Sequence, residues 1–174
     1  FYGQTFDVGG RVVAPYLLHE GITALDAVVL THAHPDHLNG LLYILEHFKV
    51  GEIWTNGALP REDNAQRFVD LATRKGIPVY HLSRGAIPFE RSGVKIACLH
   101  PDAPVRQNSS GQIVNYDDLN DQALVLRLSY GNIHCLFPSD ISASIETVLV
   151  ESPLDLPSSI LFVPHHGSGR SSSG

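Results

Sequence analysis

Residues 31–40 carry three histidines and one aspartate in a single short stretch. They read Thr-His-Ala-His-Pro-Asp-His-Leu-Asn-Gly and directly follow the apolar residues 27–30. Imidazole nitrogens and carboxylate oxygens are the ligands that hold catalytic zinc, manganese or iron in proteins. Four such side chains in one turn serve no purpose in a hydrophobic core. The stretch therefore predicts a metal centre where a buried strand meets a helix.

Apolar residues recur along the chain at alternating strand and helix spacings. Apolar runs predict strands over 27–30, 52–55, 79–82, 94–99, 123–129, 133–137 and 160–163. Helical spacing predicts helices over 35–49, 62–75 and 141–151, with Gly51 ending the first of them. Residues 101–119 are rich in proline, aspartate, asparagine and serine, which predicts a long surface loop. This alternation predicts an α/β or α+β class with a mixed sheet.

Length and composition predict one soluble domain over residues 1–174. A chain of 174 residues buries a sizeable core, and its hydrophobic fraction is 43% with a mean hydropathy of +0.00. Its apolar runs are far shorter than the roughly 20 residues that a membrane-spanning helix needs. Because the chain starts at Phe1 and ends in Gly-Arg-Ser-Ser-Ser-Gly, we expect it to be part of a larger protein.

The formal net charge is −6, and the basic residues are scattered. A dedicated nucleic-acid binder usually presents a basic face, so the charge argues mildly against tight DNA binding by this chain alone. Bound divalent cations would offset some of the negative charge locally.

The two cysteines, Cys98 and Cys135, do not form a Cys-x-x-Cys pair. Both lie in apolar, strand-like runs. We therefore expect buried free thiols, with a disulfide as the alternative.

The histidine-rich stretch offers two pairs of metal ligands. In extended backbone, residues i and i+2 point the same way, so His32 and His34 are placed to bind one ion together. Asp36 and His37 lie where the helix begins and point to a neighbouring position. Two ions so placed acidify water and bind an oxyanion or a phosphoryl oxygen.

Further ligands are expected at other strand ends on the same edge of the sheet. Asp140 follows the predicted strand 133–137 in the run Phe-Pro-Ser-Asp, and a carboxylate there would bridge the ions. His165 and His166 follow the predicted strand 160–163. The alternatives are that Asp140 caps a helix and that the histidine pair lies at the surface or has a structural role. The remaining histidines are interpreted as structural: His19, His47, His81, His100 and His134.

This set of residues resembles the metallo-β-lactamase superfamily. The family's signature HxHxDH is met in full by residues 32–37, its later aspartate matches Asp140, and its final histidine matches His165 or His166. Within the superfamily, the chain most resembles the C-terminal domain of the ComEC-type competence proteins that import DNA. The segments that carry this resemblance are 6–17, 25–32, 119–128, 136–141 and 163–168.

The resemblance implies an αββα sandwich, with two mixed sheets inside, helices outside and two divalent ions, zinc or manganese, at one edge. It also implies a domain on the outer side of the bacterial inner membrane that degrades the DNA strand that is not imported. The implied partners are DNA and the other domains of the parent channel protein, with no small organic cofactor. The family's domain opens with further strands and continues past His-His-Gly-Ser, so this chain is expected to be a partial copy.

The chain departs from the family pattern at three places. Many members carry a third histidine for the first ion near residues 115–123, where this chain has none. Asn120 or Asp121 is expected to substitute, or that ion is bound weakly. The family's usual serine after Asn-Asp-x is Ala123, and its usual glycine before the aspartate is Ser139.

The leading hypothesis is a metal-dependent phosphodiesterase that acts as a DNA nuclease. Asp36, His166 and Ser168 are the predicted catalytic residues; one histidine of the 165–166 pair binds metal while the other protonates the leaving oxygen. Ser168 is predicted to hydrogen-bond a phosphate oxygen, with a plain turn residue as its alternative. Two other functions remain open: a metallohydrolase of a small ester, lactone or phosphoester, and a non-catalytic DNA-handling domain with a degenerate site.

Overall fold

The described residues form eight strands in two sheets and four α-helices. The computed structural model describes residues 6–59, 63–86, 89–106, 108, 118–169 and 171. The strands are β1 (Ala24–Leu30), β2 (Lys49–Thr55), β3 (Val79–His81), β4 (Phe89–Arg91), β5 (Val94–His100), β6 (Val125–Tyr130), β7 (Ile133–Phe137) and β8 (Ile160–Leu161). The helices are α1 (Ala14–His19), α2 (Pro35–His47), α3 (Asp63–Arg74) and α4 (Ala143–Glu151). A π-helical segment, Gly9–Val13, leads into α1, and single 3₁₀ turns cover Asn120–Gln122 and Pro164–Gly167.

The smaller sheet has three parallel strands in the order β1-β2-β3. Leu30 pairs with Thr55, which in turn pairs with His81, so the three strands end at the same level. All three carboxyl ends therefore meet at one edge of this sheet, where the residues that follow each strand come together.

The larger sheet has five strands in the order β4-β5-β6-β7-β8. Its pairings are antiparallel except the last, in which β8 runs parallel to β7. The carboxyl ends of β7 and β8 therefore lie at the same edge of the sheet. The segments that carry Asp140 and the 165–166 pair leave from these two ends.

Three hydrophobic clusters lie between four layers: helices α2 and α3, the smaller sheet, the larger sheet, and helix α4. In β1, Val28 and Leu30 pack with α2 and α3, whereas Ala27 and Val29 contribute to a second cluster between the sheets. A third cluster packs α4, through Leu149, against the outer face of the larger sheet. Alternate strand residues thus serve two cores, because side chains of a strand point to opposite faces.

One backbone hydrogen bond ties the two sheets at the edge that carries the histidine-rich stretch. The amide of Leu124, just before β6, donates to the carbonyl of Thr31, just after β1, at 3.0 Å. This bond places the segment that leads into β6 beside the end of β1.

The predicted fold class is confirmed: two sheets pack face to face between helical layers. The larger sheet is mixed and the smaller one is parallel throughout. Both cysteines are free thiols, Cys98 buried and Cys135 half-buried. No helix among the described residues is long and apolar enough to cross a membrane.

Some local predictions are wrong or incomplete. Helix α2 ends at His47, and Gly51 lies inside β2, where a Cβ atom would stand 2.6 Å from the carbonyl oxygen of Asp26. Glycine at position 51 therefore permits the close approach of β1 and does not end a helix. The helical segment 9–19 and strand β4 were not predicted. Residues 107 and 109–117, part of the predicted loop, lie outside the described residues.

Candidate metal centre

The histidine-rich stretch crosses from the end of β1 into the first turn of α2. His34 is extended, with φ −63° and ψ 146°, and precedes Pro35 at the first helical position. Proline suits that position because its fixed φ is already helical and the backbone donor it lacks has no partner there. Asp36 lies in the first turn, where the helix dipole favours a negative charge. The local sequence thus fixes where the four ligand candidates emerge.

His32 and His34 face one common space. The Nε2 atom of His32 lies 3.1 Å from the Nδ1 atom of His34, and His32 is fully buried. Two nitrogens that bind the same tetrahedral ion at about 2.1 Å lie about 3.4 Å apart, so this spacing fits a shared divalent cation. The structure brings the two ring nitrogens together, and their binding of one shared ion stays a prediction.

A second group gathers Asp36, His37, Asp140 and His166. One ligand atom from each lies within 4.8 Å of all the others. The Oδ2 atom of Asp140 is 3.3 Å from the Nε2 atom of His37 and 3.4 Å from that of His166. The Oδ2 atom of Asp36 is 3.8 Å from the Nε2 atom of His166. Two imidazoles and two carboxylates at these distances fit a divalent ion with nitrogen and oxygen ligands.

The pair and the second group are direct neighbours. The rings of His32 and His37 are tilted against each other with centroids 4.2 Å apart. Residues from three distant parts of the chain therefore meet in one cluster.

The buried His32 side chain carries no positive charge of its own. Burial, together with the neighbouring His37 and His34 rings, lowers the pKa of His32 from 6.5 to about 3. His32 is therefore neutral at physiological pH and keeps a nitrogen lone pair for a cation.

Asp140 does not cap the helix that follows it. Helix α4 starts at Ala143, and Ser142 is the residue at its N-cap position. The Asp140 side chain is only 6% exposed and lies instead against His37. The alternative interpretation of Asp140 as a helix cap is therefore excluded.

His165 and His166 occupy an unusual backbone conformation. Both have positive φ angles, 47° and 53°, in the left-handed region that non-glycine residues rarely adopt. This local twist points His166 into the second group. His165 lies beside it, with Nε2 3.9 Å from Oδ2 of Asp140 and Nδ1 hydrogen-bonded to the hydroxyl of Ser171 at 2.9 Å. Strained non-glycine backbone of this kind tends to occur at functional sites.

Ser168 follows the 3₁₀ turn that carries these histidines. Its amide donates to the carbonyl of His165 at 2.9 Å. Its catalytic role remains a prediction.

The segment without the third histidine lies next to this edge. Two hydrogen bonds hold its 3₁₀ turn, Asn120–Gln122. The side-chain amide of Asn56 donates to the carbonyl of Gln122 at 2.9 Å, and Nε2 of His100 donates to the carbonyl of Asp121 at 2.8 Å. The oxygens Oδ1 of Asn120 and of Asp121, and both polar side-chain atoms of Gln122, are buried with no hydrogen-bond partner among the described residues. Sequence reasoning named Asn120 and Asp121 but missed Gln122, whose only signal was its place in the Asn-Asp-Gln run.

Comparison with known proteins identifies the family. The sequence profile of the metallo-beta-lactamase superfamily matches residues 6–173. This chain belongs to the metallo-beta-lactamase superfamily. As a member of that superfamily, and with the ligand groups described above, it is a metal-dependent hydrolase by family.

One curated relative of this metallo-beta-lactamase domain is ComE operon protein 3 of Bacillus subtilis (strain 168). It is 26% identical over 163 residues, which cover 94% of this chain and 20% of that protein. The chain thus spans about a fifth of the relative's length. The similarity agrees with the predicted resemblance to the competence-type branch of the superfamily.

Similar solved structures include two metalloproteins. CmlA, a diiron β-hydroxylase from Streptomyces venezuelae, is 17% identical, with 75% of this chain and 22% of that chain covered and a TM-score of 0.42. Igni18, a metallo hydrolase from the archaeon Ignicoccus hospitalis, is 20% identical, with 67% and 42% covered and a TM-score of 0.39.

Proposed function

We propose that this domain is a metal-dependent phosphodiesterase that hydrolyses DNA during uptake by competent bacteria. The observation that carries the proposal is the side-by-side arrangement of the His32–His34 pair and the group formed by Asp36, His37, Asp140 and His166. Two adjacent divalent sites are the arrangement that many phosphodiester-cleaving enzymes use. The similarity to ComE operon protein 3 supports the biological setting.

Each ligand group would hold one ion. His32 and His34 would bind the first ion. Asp36, His37, Asp140 and His166 would bind the second. Divalent ions supply Lewis acidity toward water and toward phosphoryl oxygens. The mixed nitrogen and oxygen donors suit zinc and manganese alike, and a phosphate substrate favours the harder manganese.

The third ligand of the first ion is proposed to come from the segment 120–122. Its buried polar atoms lack partners among the described residues, and its position beside Thr31 is fixed by the amide of Leu124. Asp121 is the strongest donor of the three because its side chain is anionic.

The chain's own residues would move the proton and orient the phosphate. Because His166 belongs to the four-residue ligand group, His165 is the better placed of the two histidines to protonate the leaving oxygen. The Ser171 hydroxyl, hydrogen-bonded to Nδ1 of His165, would hold that ring in place. Ser168 would donate a hydrogen bond to a phosphate oxygen.

The openness of the site supports a polymeric substrate. The side chains of Asp36 and His166 are 59% and 68% exposed. Ligands at an open surface are accessible to an extended backbone, whereas sites for small molecules usually enclose most of the ligand. Bound cations would also offset the acidic charge of the chain where the phosphates approach.

The cellular setting is part of the same proposal. We propose that the domain lies on the outer side of the inner membrane and is part of a longer channel protein. That protein would import one DNA strand while this domain degrades the other. Its partners would be DNA and the remaining domains of that protein.

One observation favours a second candidate, a domain that handles DNA without cutting it. The stretch 115–123 supplies no histidine to the first ion, so that ion would be held by fewer imidazoles than in many relatives. Weak binding of the first ion would abolish hydrolysis and leave the fold intact.

A nuclease assay on 5′- and 3′-labelled DNA strands, with Mn²⁺, Zn²⁺ or Mg²⁺, tests the proposal. We expect metal-dependent cleavage that is lost in His32→Ala and Asp140→Ala, while His47→Ala, an exposed histidine on α2, cleaves like the parent. Small esters with the same metals serve as the competing substrates. Equal cleavage by the parent and both ligand variants would refute the proposal, and metal binding without cleavage would support the second candidate.

A further inference from the structure

Ser139 adopts a backbone conformation that suits glycine better than serine. Its φ angle is +56°, in the left-handed region, where a side chain is disfavoured sterically. The residue directly precedes Asp140 and so lies beside the metal centre. Such strain persists where the surrounding structure fixes the backbone.

The hydroxyl and the carbonyl of Ser139 reach two other segments of the site. The hydroxyl donates to Oγ1 of Thr31 at 2.9 Å, and Oγ1 of Thr31 lies 3.1 Å from Nδ1 of His32. The carbonyl of Ser139 accepts the amide of His165 at 3.0 Å. One residue therefore links Asp140 to the histidine-rich stretch and to the 165–166 pair.

The link through Thr31 bears on the orientation of His32. A hydrogen bond at Nδ1 leaves Nε2 facing the space that His32 shares with Nδ1 of His34. Partners of this kind fix the ring orientation of a ligating histidine, and their loss typically weakens metal binding 10- to 100-fold. Because His32 is fully buried, its ring orientation depends on such neighbours.

We propose that Ser139 is a positioning residue of the metal centre. Its hydroxyl, acting through Thr31, orients His32 toward the first ion, and its carbonyl holds the 165–166 pair beside Asp140. This inference rests on the proposed metal-binding role of the site.

Ser139→Gly separates this role from a merely structural one. Glycine adopts the same φ without strain and keeps the carbonyl, but it lacks the hydroxyl. A merely structural role predicts an equal or higher melting temperature with unchanged metal affinity. Positioning predicts an equal or higher melting temperature together with weaker binding of the first ion.

The decisive experiment measures Mn²⁺ and Zn²⁺ affinities of the 174-residue chain by competition with a fluorescent chelator. We expect the first-ion affinity to fall about tenfold or more in Ser139→Gly and in Thr31→Val. Thr31→Ser retains the hydroxyl and should restore affinity close to that of the parent. The matched control is Ser144→Ala, which removes an exposed hydroxyl that contacts only Ser142 among the hydrogen bonds described.

A metal-free measurement makes the result independent of the proposed function. The ¹⁵N chemical shift of Nδ1 in His32 should change in Ser139→Gly and Thr31→Val and stay at the parent value in Ser144→Ala. If the parent binds neither metal, the proposed function fails, while the chemical shift still decides whether Ser139 orients His32. Parent-like affinities and shifts in both Ser139→Gly and Thr31→Val would overturn the inference.

Discussion

The Nε2 atom of His37 lies 3.3 Å from the Oδ2 atom of Asp140, although 103 positions separate the two residues in the chain. His37 lies in the first turns of α2, which follows β1, and Asp140 follows β7. The contact therefore joins segments that leave the two different sheets. This contact turns a local histidine cluster into a centre that includes a buried carboxylate.

Asp140→Asn should weaken divalent metal binding by a factor of about ten or more, because it removes a buried anionic ligand while keeping the side chain's shape. Isothermal titration with Mn²⁺ and Zn²⁺ measures the change. Asp70→Asn, at an exposed position of α3, is the matched control and should bind like the parent. Parent-like affinity in Asp140→Asn would contradict the assignment of Asp140 as a ligand.

The metal-free protein should lose stability as the pH falls below 6.5. Burial lowers the pKa of His100 below its ordinary value of 6.5, and it lowers that of His32 to about 3. The unfolded chain therefore takes up protons below pH 6.5 that the folded chain does not, so the free energy of unfolding decreases there and is unaffected by these groups above it.

Urea unfolding in a chelating buffer at about pH 7.5 and about pH 5 measures this dependence. In His100→Gln part of the pH dependence should disappear, whereas His47→Gln, at an exposed position, should keep all of it. A free energy of unfolding that is the same at both pH values would contradict the lowered pKa of these buried imidazoles.

Phe68→Ala should lower the free energy of unfolding by about 3–5 kcal/mol, because it leaves a cavity in the cluster between α3 and the smaller sheet. Phe68 is 1% exposed, whereas its neighbour Val69 is 38% exposed on the same helix. Val69→Ala is therefore the matched control, with an expected change within about 0.5 kcal/mol. Urea unfolding measures both changes. Equal changes from the two substitutions would contradict the burial of Phe68 in the core.

Cys135 should react with a thiol reagent well before Cys98. Burial raises the pKa of the Cys98 thiol to about 11, so almost none of it is the reactive thiolate near neutral pH, while Cys135 is only partly buried. Mass spectrometry after timed labelling of the folded protein identifies the modified residue. Cys135→Ser serves as the control and should remove the early label; faster labelling of Cys98 would indicate that β5 opens readily.

Local pattern was enough to predict the strand–turn–helix unit around the ligands. The apolar run before Thr31 and the helical spacing after Pro35 are short-range signals, and both elements lie where the pattern placed them. Pattern failed at Gly51, where the need for glycine comes from a neighbouring strand and not from a helix end. It also missed β4, a three-residue strand that pairs with β5 and with no other strand in the described part of the chain.

The amino-acid sequence by itself determined the kind of chemistry, because HxHxDH between a buried strand and a helix commits four ligand side chains to one turn. It also marked Asp140 and the 165–166 pair as candidates at other strand ends. Only the tertiary structure decided that these residues meet, that His166 enters the ligand group while His165 stands beside it, and that Ser139 connects them. The physical reason is that sheet order and the left-handed backbone at residues 139, 165 and 166 arise from packing between distant segments, which no local pattern in the chain encodes.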